Sequence, residues 1–295
     1  MEWVKRLKWL KWLIHKFIGT VQFLVLLGLG MLLCLPVLMV LFGSLADAIE
    51  WSQRLEPMAK GTSDYISWKW IPDYPTLEHF RDLLFYAPDF LTLFWNSVKI
   101  AGCVLVGQMI VGIPCAWAFA VYRFQGRKLL FSLYVLLMLL PFQVTMLAKY
   151  LVLNGMGLMD THGAVILPEV FSTFPVFLIY RGFREIPPEL YEVARIDGAG
   201  EWVIFTRVGL PLGSGSILSA FVLSFFEVWN MMEEPLAFLR NMSLWPLSLY
   251  LPQISAAQAG HACGASVIVL AVSLFVFGIF RDSLEKGIVS SALKG

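Results

Sequence analysis

Apolar and polar positions along this chain segregate on the scale of whole segments, not of single helical turns. Six predominantly apolar stretches, 17–42, 93–121, 129–153, 163–183, 208–229 and 263–280, are separated by more polar intervals of uneven length. Each is close to or above the roughly 20 residues that a helix needs to cross a hydrocarbon layer. Strands cannot cross such a layer unless they close into a barrel, so the segments predict an all-α bundle of six membrane-spanning helices. The first stretch is much longer than the roughly 7–15 residue core of a cleaved leader, so it is expected to stay as a span.

The intervals set an orientation. Residues 1–16 interleave Lys5, Arg6, Lys8, Lys11 and Lys16 with Trp3, Trp9 and Trp12, a pattern suited to lying flat in the headgroup layer on the inner face. The interval 122–128 carries Arg123, Arg127 and Lys128 without an acid, and the tail 285–295 carries Lys286 and Lys294. By contrast, residues 43–92 are rich in Trp, Pro and acids, with Asp47, Glu50, Glu56, Asp64, Asp73, Glu78, Asp82 and Asp89 outnumbering the bases. Basic loops stay inside, so both termini are expected in the cytoplasm and 43–92 outside, followed by a core of five spans over 93–284. The intervals 154–162 and 231–260 then fall outside, and 184–207 inside.

Composition narrows the class. Of 295 residues 58% are hydrophobic and 15% charged, which excludes an ordinary soluble domain, and a net charge of +1 gives no support to a polyanion-binding role. Cys34, Cys103, Cys115 and Cys263 all fall in or beside apolar stretches without metal-ligand spacing, and are read as small core hydrophobes. No H-E-x-x-H, Ser/Lys dyad or acidic metal cluster is visible, and no duplicated halves suggest a secondary transporter.

The densest charge lies in 181–211. Pro187 and Pro188 suit a helix start, Glu189 and Glu192 complement the helix dipole, and a short helix is expected over 188–197. Leu190, Val193, Ala194 and Asp197 share one face at i, i+3, i+4 and i+7, and Gly198 and Gly200 allow a sharp turn. A second short helix, 201–207, is expected to lead to Pro211 and the fifth span. The product is a knob fitted to a groove on another protein, able to pass on its rigid-body motion.

Glu192-Val193-Ala194, Asp197-Gly198-Ala199 and Leu210-Pro211 resemble the EAA loop of ABC-importer permeases, which reads Glu-Ala-Ala, three residues, Gly, nine residues, Ile, one residue, Leu-Pro. Gly198, Leu210 and Pro211 match in type and spacing, while Val193 and Val208 are apolar departures. Further strings, Pro75-Thr76-Leu77-Glu78, Phe94-Trp95-Asn96-Ser97, Leu140-Pro141-Phe142-Gln143-Val144-Thr145, Gly157-Leu158-Met159-Asp160-Thr161, Trp229-Asn230 and Pro246-Leu247-Ser248-Leu249, are similar to the six-span partner subunit of maltose-type sugar permeases. The final Ala292-Leu293-Lys294-Gly295 also looks like that subunit's tail.

The resemblance implies a carbohydrate (di- or oligosaccharide) importer built with a second permease subunit, two ATPase subunits and an extracytoplasmic solute-binding protein, in a cytoplasmic membrane. Glu189, Tyr191, Glu192, Val193, Ala194, Asp197, Gly198 and Ala199 would couple the knob to an ATPase. This chain has no G-x-x-x-x-G-K-[ST], so ATP and Mg would be used by the partner and no cofactor would be bound directly. Another solute, such as a polyamine, phosphate or glycerol phosphate, is the alternative cargo.

Polar groups inside spans are costly, so Gln108, Gln143, Thr145, Glu169, Ser172, Thr173, Ser224, Glu227 and Asn230 are expected to face the bundle interior. Gln143, Thr145, Glu227 and Asn230 are the candidates for the substrate path; the competing reading for each is a hydrogen bond between helices. Lys99 and Lys149 are expected to snorkel to headgroups, and the outer loop 231–260, with Glu233-Glu234-Pro235, to meet the binding protein. Pro36, Pro114, Pro141, Pro168 and Pro175 are expected to bend spans.

Overall fold

The computed structural model describes residues 2–59, 69–250 and 258–292. Among these residues every extended element is helical, and the one strand-like feature is an isolated bridge between Ala46 and Pro75. The chain divides into two compact units, Met1–Leu83 with Ile254–Val267, and Leu84–Gln253 with Ile268–Gly295.

In the first unit, α1 (Glu2–Ser44) is one unbroken helix. The basic arm and the first span, expected as separate pieces, are therefore continuous, since nothing between Lys16 and Phe17 breaks helical geometry. From Phe17 to Leu33 its large apolar side chains are exposed on all sides, as suits a rod surrounded by hydrocarbon. The interval after it is folded: α2 (Ala48–Ala59) and α3 (Glu78–Arg81) close on the end of α1, where Trp51 donates to the Gly43 carbonyl at 2.9 Å. A buried Arg54–Glu50 pair lies one turn apart on α2. Residues 60–68, with Asp64, lie outside the described residues.

The second unit is organised by α4 (Pro88–Val121), whose buried positions Phe90, Leu93, Ser97, Ile100, Val104, Gln108 and Ala116 recur at helical spacing. The expected third span is two helices, α5 (Arg127–Met138) and α6 (Phe142–Gly155), meeting at 106°. Pro141 has extended backbone, lacks an N–H and disfavours helix at Leu140, so the helix stops there instead of merely bending. α7 (His162–Val170) and α8 (Thr173–Glu185) form the fourth crossing with a shallower break at Phe171 and Ser172.

After α9 (Pro188–Ile196), the second short helix of the knob does not end at Arg207. α10 (Glu201–Ile204) passes through a π-turn, Phe205–Gly209, directly into α11 (Leu210–Trp229). Leu210 donates five residues back to the Phe205 carbonyl, a widened turn just before the ring of Pro211. α12 (Glu233–Phe238) follows, and α13 (Ala259–Ala292) is the last helix; Leu293, Lys294 and Gly295 of the expected tail lie outside the described residues. Five described helical runs are long and apolar enough to span a membrane, and six if the bent α5–α6 pair is one crossing.

α4 also orders the two ends of the second unit. At its start, Asn96 donates to the carbonyls of Ser243 and Trp245, and the Ser97 hydroxyl accepts from the Leu247 N–H. There the expected outer intervals meet each other: the Asp160 carboxylate accepts from the N–H groups of Arg240 and Asn241 at 2.9 and 2.8 Å. At its opposite end, Trp117 meets the knob.

Candidate functional site

The knob is a rigid attachment with an uncovered outer face. Pro187 precedes α9 and Pro188 occupies its first position, where the missing N–H costs nothing. At the far end the Ala199 N–H donates to the Ala194 carbonyl and the Gly198 N–H to the Arg195 carbonyl, a six-to-one and five-to-two pair that closes the helix. This closure needs a left-handed residue, and Gly198 supplies it with φ of +82°. A Cβ there would meet open space within this chain, so the requirement for glycine is conformational and not steric.

Tyr191 points inward. It is 5% exposed, and its ring lies edge-on to Trp117 with centroids 5.3 Å apart. Trp117 also meets Phe183 at 5.1 Å and Phe205 at 5.3 Å, so one indole from α4 joins α8, α9 and the π-turn. Burial pushes the Tyr191 phenol up to about 12. Gly209 and Gly213 lie so close to the rings of Trp117 and Phe183 that neither could carry a Cβ without displacing them. Outside, Arg195 Nε and Nη2 donate to the two carboxylate oxygens of Glu201 at 2.8 and 3.3 Å, tying α9 to α10 across the turn.

Of the expected coupling residues, Glu189, Glu192, Val193, Asp197 and Gly198 are exposed. Tyr191 is not on that face; it is a buried anchor, and Ala194 and Ala199 are half-buried against the same core. Glu192 and Asp197 form no ion pair among the described residues. The exposed face also carries residues that sequence reading did not single out: Ile196 is 84% exposed and Trp202 73%. Uncovered apolar side chains of this size on one protrusion mark an interaction surface.

A second polar constellation lies within the spans. Lys149 on α6 places Nζ 3.4 Å from Glu234 Oε1 on α12 and 3.7 Å from Glu169 Oε1 on α7, over the ring of Phe142. It therefore does not snorkel: two carboxylates from other helices hold its ammonium, and only 28% of its side chain is exposed. Glu234, in the outer interval 231–260, is the nearer of the two carboxylates. Gln143 reaches Glu233 at 3.3 Å, close by. Glu227 is exposed on α11. Thr145 and Asn230 bond to carbonyls of their own helices, at Phe142 and Phe226, and Gln108 satisfies the Glu169 carbonyl as a link between helices. Among the described residues no group of three or more His, Cys, Asp or Glu is placed to hold a metal ion.

A bundle of long apolar helices, bent at Pro141 and carrying a stiff helix–turn–helix at one end, defines a multi-pass membrane transport subunit. Residues 108–291 match the family described as binding-protein-dependent transport system inner membrane component, and the chain belongs to that family. It is 30% identical over 229 residues to the arabinooligosaccharides transport system permease protein AraQ of Halalkalibacterium halodurans, covering 76% of this chain and 81% of that one. It is 29% identical to the protein LplC of Bacillus subtilis over 91% of this chain and 92% of its relative. In fold it is similar to a chain of a bacterial ABC transporter involved in the import of the acidic polysaccharide alginate, with a TM-score of 0.73, 18% identity, and coverage of 92% and 96% of the two chains.

Proposed function

We propose that this chain is the permease subunit of an ATP-driven, binding-protein-dependent importer of di- or oligosaccharides in the cytoplasmic membrane. The observation that carries the reading is the knob: an exposed apolar face, Leu190, Val193, Ile196 and Trp202, on a support locked to the spans by Tyr191 and Trp117. A surface meant only for water would not expose these side chains. A loosely tethered one would absorb a partner's motion instead of passing it on.

In this reading the knob sits in the cytoplasm, with both termini, in a groove of one of two ATPase subunits that use ATP and Mg. Their closure pulls α9, and the Trp117 joint passes the displacement to α4, α8 and the continuous helix from Glu201 to Trp229. With a second permease subunit, the bundle then switches the side to which its interior opens. The extracytoplasmic binding protein delivers the cargo at the other end of α4. Sugar as the cargo is supported by the names of relatives, which transport arabinooligosaccharides, lactose and diacetylchitobiose.

The test is uptake by proteoliposomes holding the whole complex. ATP-dependent accumulation of labelled di- or oligosaccharide is expected, saturating with the binding protein. A relative 31% identical over 56% of this chain is an sn-glycerol-3-phosphate permease protein, so glycerol phosphate is the comparison solute. Uptake of that solute and not of sugar would overturn the cargo assignment while leaving the coupling intact.

A further inference from the structure

At the knob end of the bundle, two adjoining cavities share Arg123, Arg127 and Arg184. One, of about 570 Å³, lies between the α4–α5 loop and α9 and is closed on its far side by Tyr191, Glu192 and Arg195. The other, of about 810 Å³, runs from the same arginines along Leu129, Phe131 and Tyr180. Arg127 donates through Nη1 to the Tyr122 carbonyl at 2.9 Å, and Arg195 is held by Glu201. Arg123 and Arg184 form no hydrogen bond or ion pair among the described residues, and the buried Tyr191 hydroxyl finds no partner among them either.

A cavity with this lining is short of an anion. Guanidinium forks match the geometry of phosphate, and unpaired positive groups gathered around one opening raise the local concentration of anions. The apolar second cavity decides the kind of anion. α5 has no fully buried residue and packs one side on α8, where the tilted pair Phe131 and Tyr180, 4.1 Å between centroids, forms an apolar wall beyond the arginines. An acidic loop of a protein would gain nothing from that wall, whereas a lipid tail would lie along it.

We propose that the paired cavities bind an anionic phospholipid, its phosphate at Arg123 and Arg184 and an acyl chain along Leu129, Phe131 and Tyr180. The orientation in the membrane rests on the functional reading above, since it places this end of the bundle at the inner leaflet. The bound headgroup then adjoins Tyr191 and Glu192 at the root of the knob, which makes coupling sensitive to the charge of the surrounding lipid.

The test titrates the purified full-length chain, in detergent, with phosphatidylglycerol, phosphatidylcholine and inorganic phosphate, and reads binding by native mass spectrometry. Phosphatidylglycerol is expected to bind well ahead of phosphatidylcholine and of phosphate. Each basic group near an anionic headgroup contributes roughly fivefold, so the variant Arg123→Gln/Arg184→Gln is expected to bind about 25-fold more weakly. Arg181→Gln/Arg207→Gln, an equal loss of charge outside both cavities, is expected to bind as the native chain does. Equal binding of the two phospholipids, or an unchanged Arg123→Gln/Arg184→Gln variant, overturns the site. Phosphate competing as well as lipid assigns it to a soluble anion and contradicts the lipid proposal. The titration uses no ATP and no partner, so its failure is separate from failure of the coupling reading, which uptake measures.

Discussion

At the α9 end of the second unit, charged side chains face outward while Tyr191, Phe183 and Phe205 turn in on Trp117, whereas around Lys149 the charges are turned toward one another between helices. The knob is fastened by ring contacts, which hold in any salt and do not depend on protonation, and its carboxylates at Glu192 and Asp197 are exposed. The Lys149 group does the reverse: Glu169 and Glu234 hold α7 and α12 to α6 through one ammonium. A part that must transmit force without yielding is built from packing. A part that joins helices which shift during transport can be built from ion pairs, which re-form at small displacement.

The contrast breaks most directly at the aromatic joint. Trp117→Ala removes a buried indole shared by three elements and is expected to lower stability by about 3–5 kcal/mol. In the assembled complex it should let ATP hydrolysis continue while uptake falls, read by measuring both in the same proteoliposomes. Tight coupling in that variant would mean that the knob is held by something other than its core.

Next in size is Lys149→Met, which leaves Glu169 and Glu234 without their cation. Complete burial would make such a loss about 3–5 kcal/mol; partial exposure of Lys149 brings the expectation to about 2 kcal/mol, read from thermal unfolding of the solubilised chain. Lys149→Met/Glu169→Gln should recover about 1 kcal/mol of this, the mark of a real interaction in a double-mutant cycle. Simple addition of the two effects would reduce the group to a surface decoration.

Much of this molecule was legible in its sequence, and the losses have physical causes. The apolar segments located the crossings because hydrocarbon thickness fixes their length. The knob was legible because proline at its start and glycine at its turn are backbone requirements, visible one residue at a time. The 106° break was not, since a proline bends or ends a helix according to what covers its neighbours, and Pro141 is followed by a helix that turns away. The expected separation of 201–207 from the fifth span failed in the opposite sense, because the π-turn before Pro211 lets the helix run on. Lys149 read as a snorkelling residue because its partners lie 20 and 85 positions away, on helices whose meeting no local pattern announces. Tyr191 was named for coupling, and its burial reassigns it from the docking face to the joint beneath.

Smaller effects sharpen the knob side of the contrast. Gly198→Ala forces a side chain into left-handed backbone and should cost about 1 kcal/mol locally, with the spans unaffected. Gly198→Asp, better suited to that backbone but charged, should fold and insert normally yet lose uptake, a result that a purely structural glycine would not give. Arg195→Ala removes an exposed pair and is expected to change stability by about 0.5 kcal/mol or less.

The central claim is that the uncovered face of α9 lies in the cytoplasm against an ATPase. With the four native cysteines replaced, Ile196→Cys is treated with a membrane-impermeant maleimide in right-side-out and inverted vesicles, with and without the ATPase subunits. Labelling is expected in inverted vesicles alone, and protection once the ATPase subunits are present. Labelling from the outer side, or labelling in the assembled complex as fast as in the bare subunit, would contradict the account.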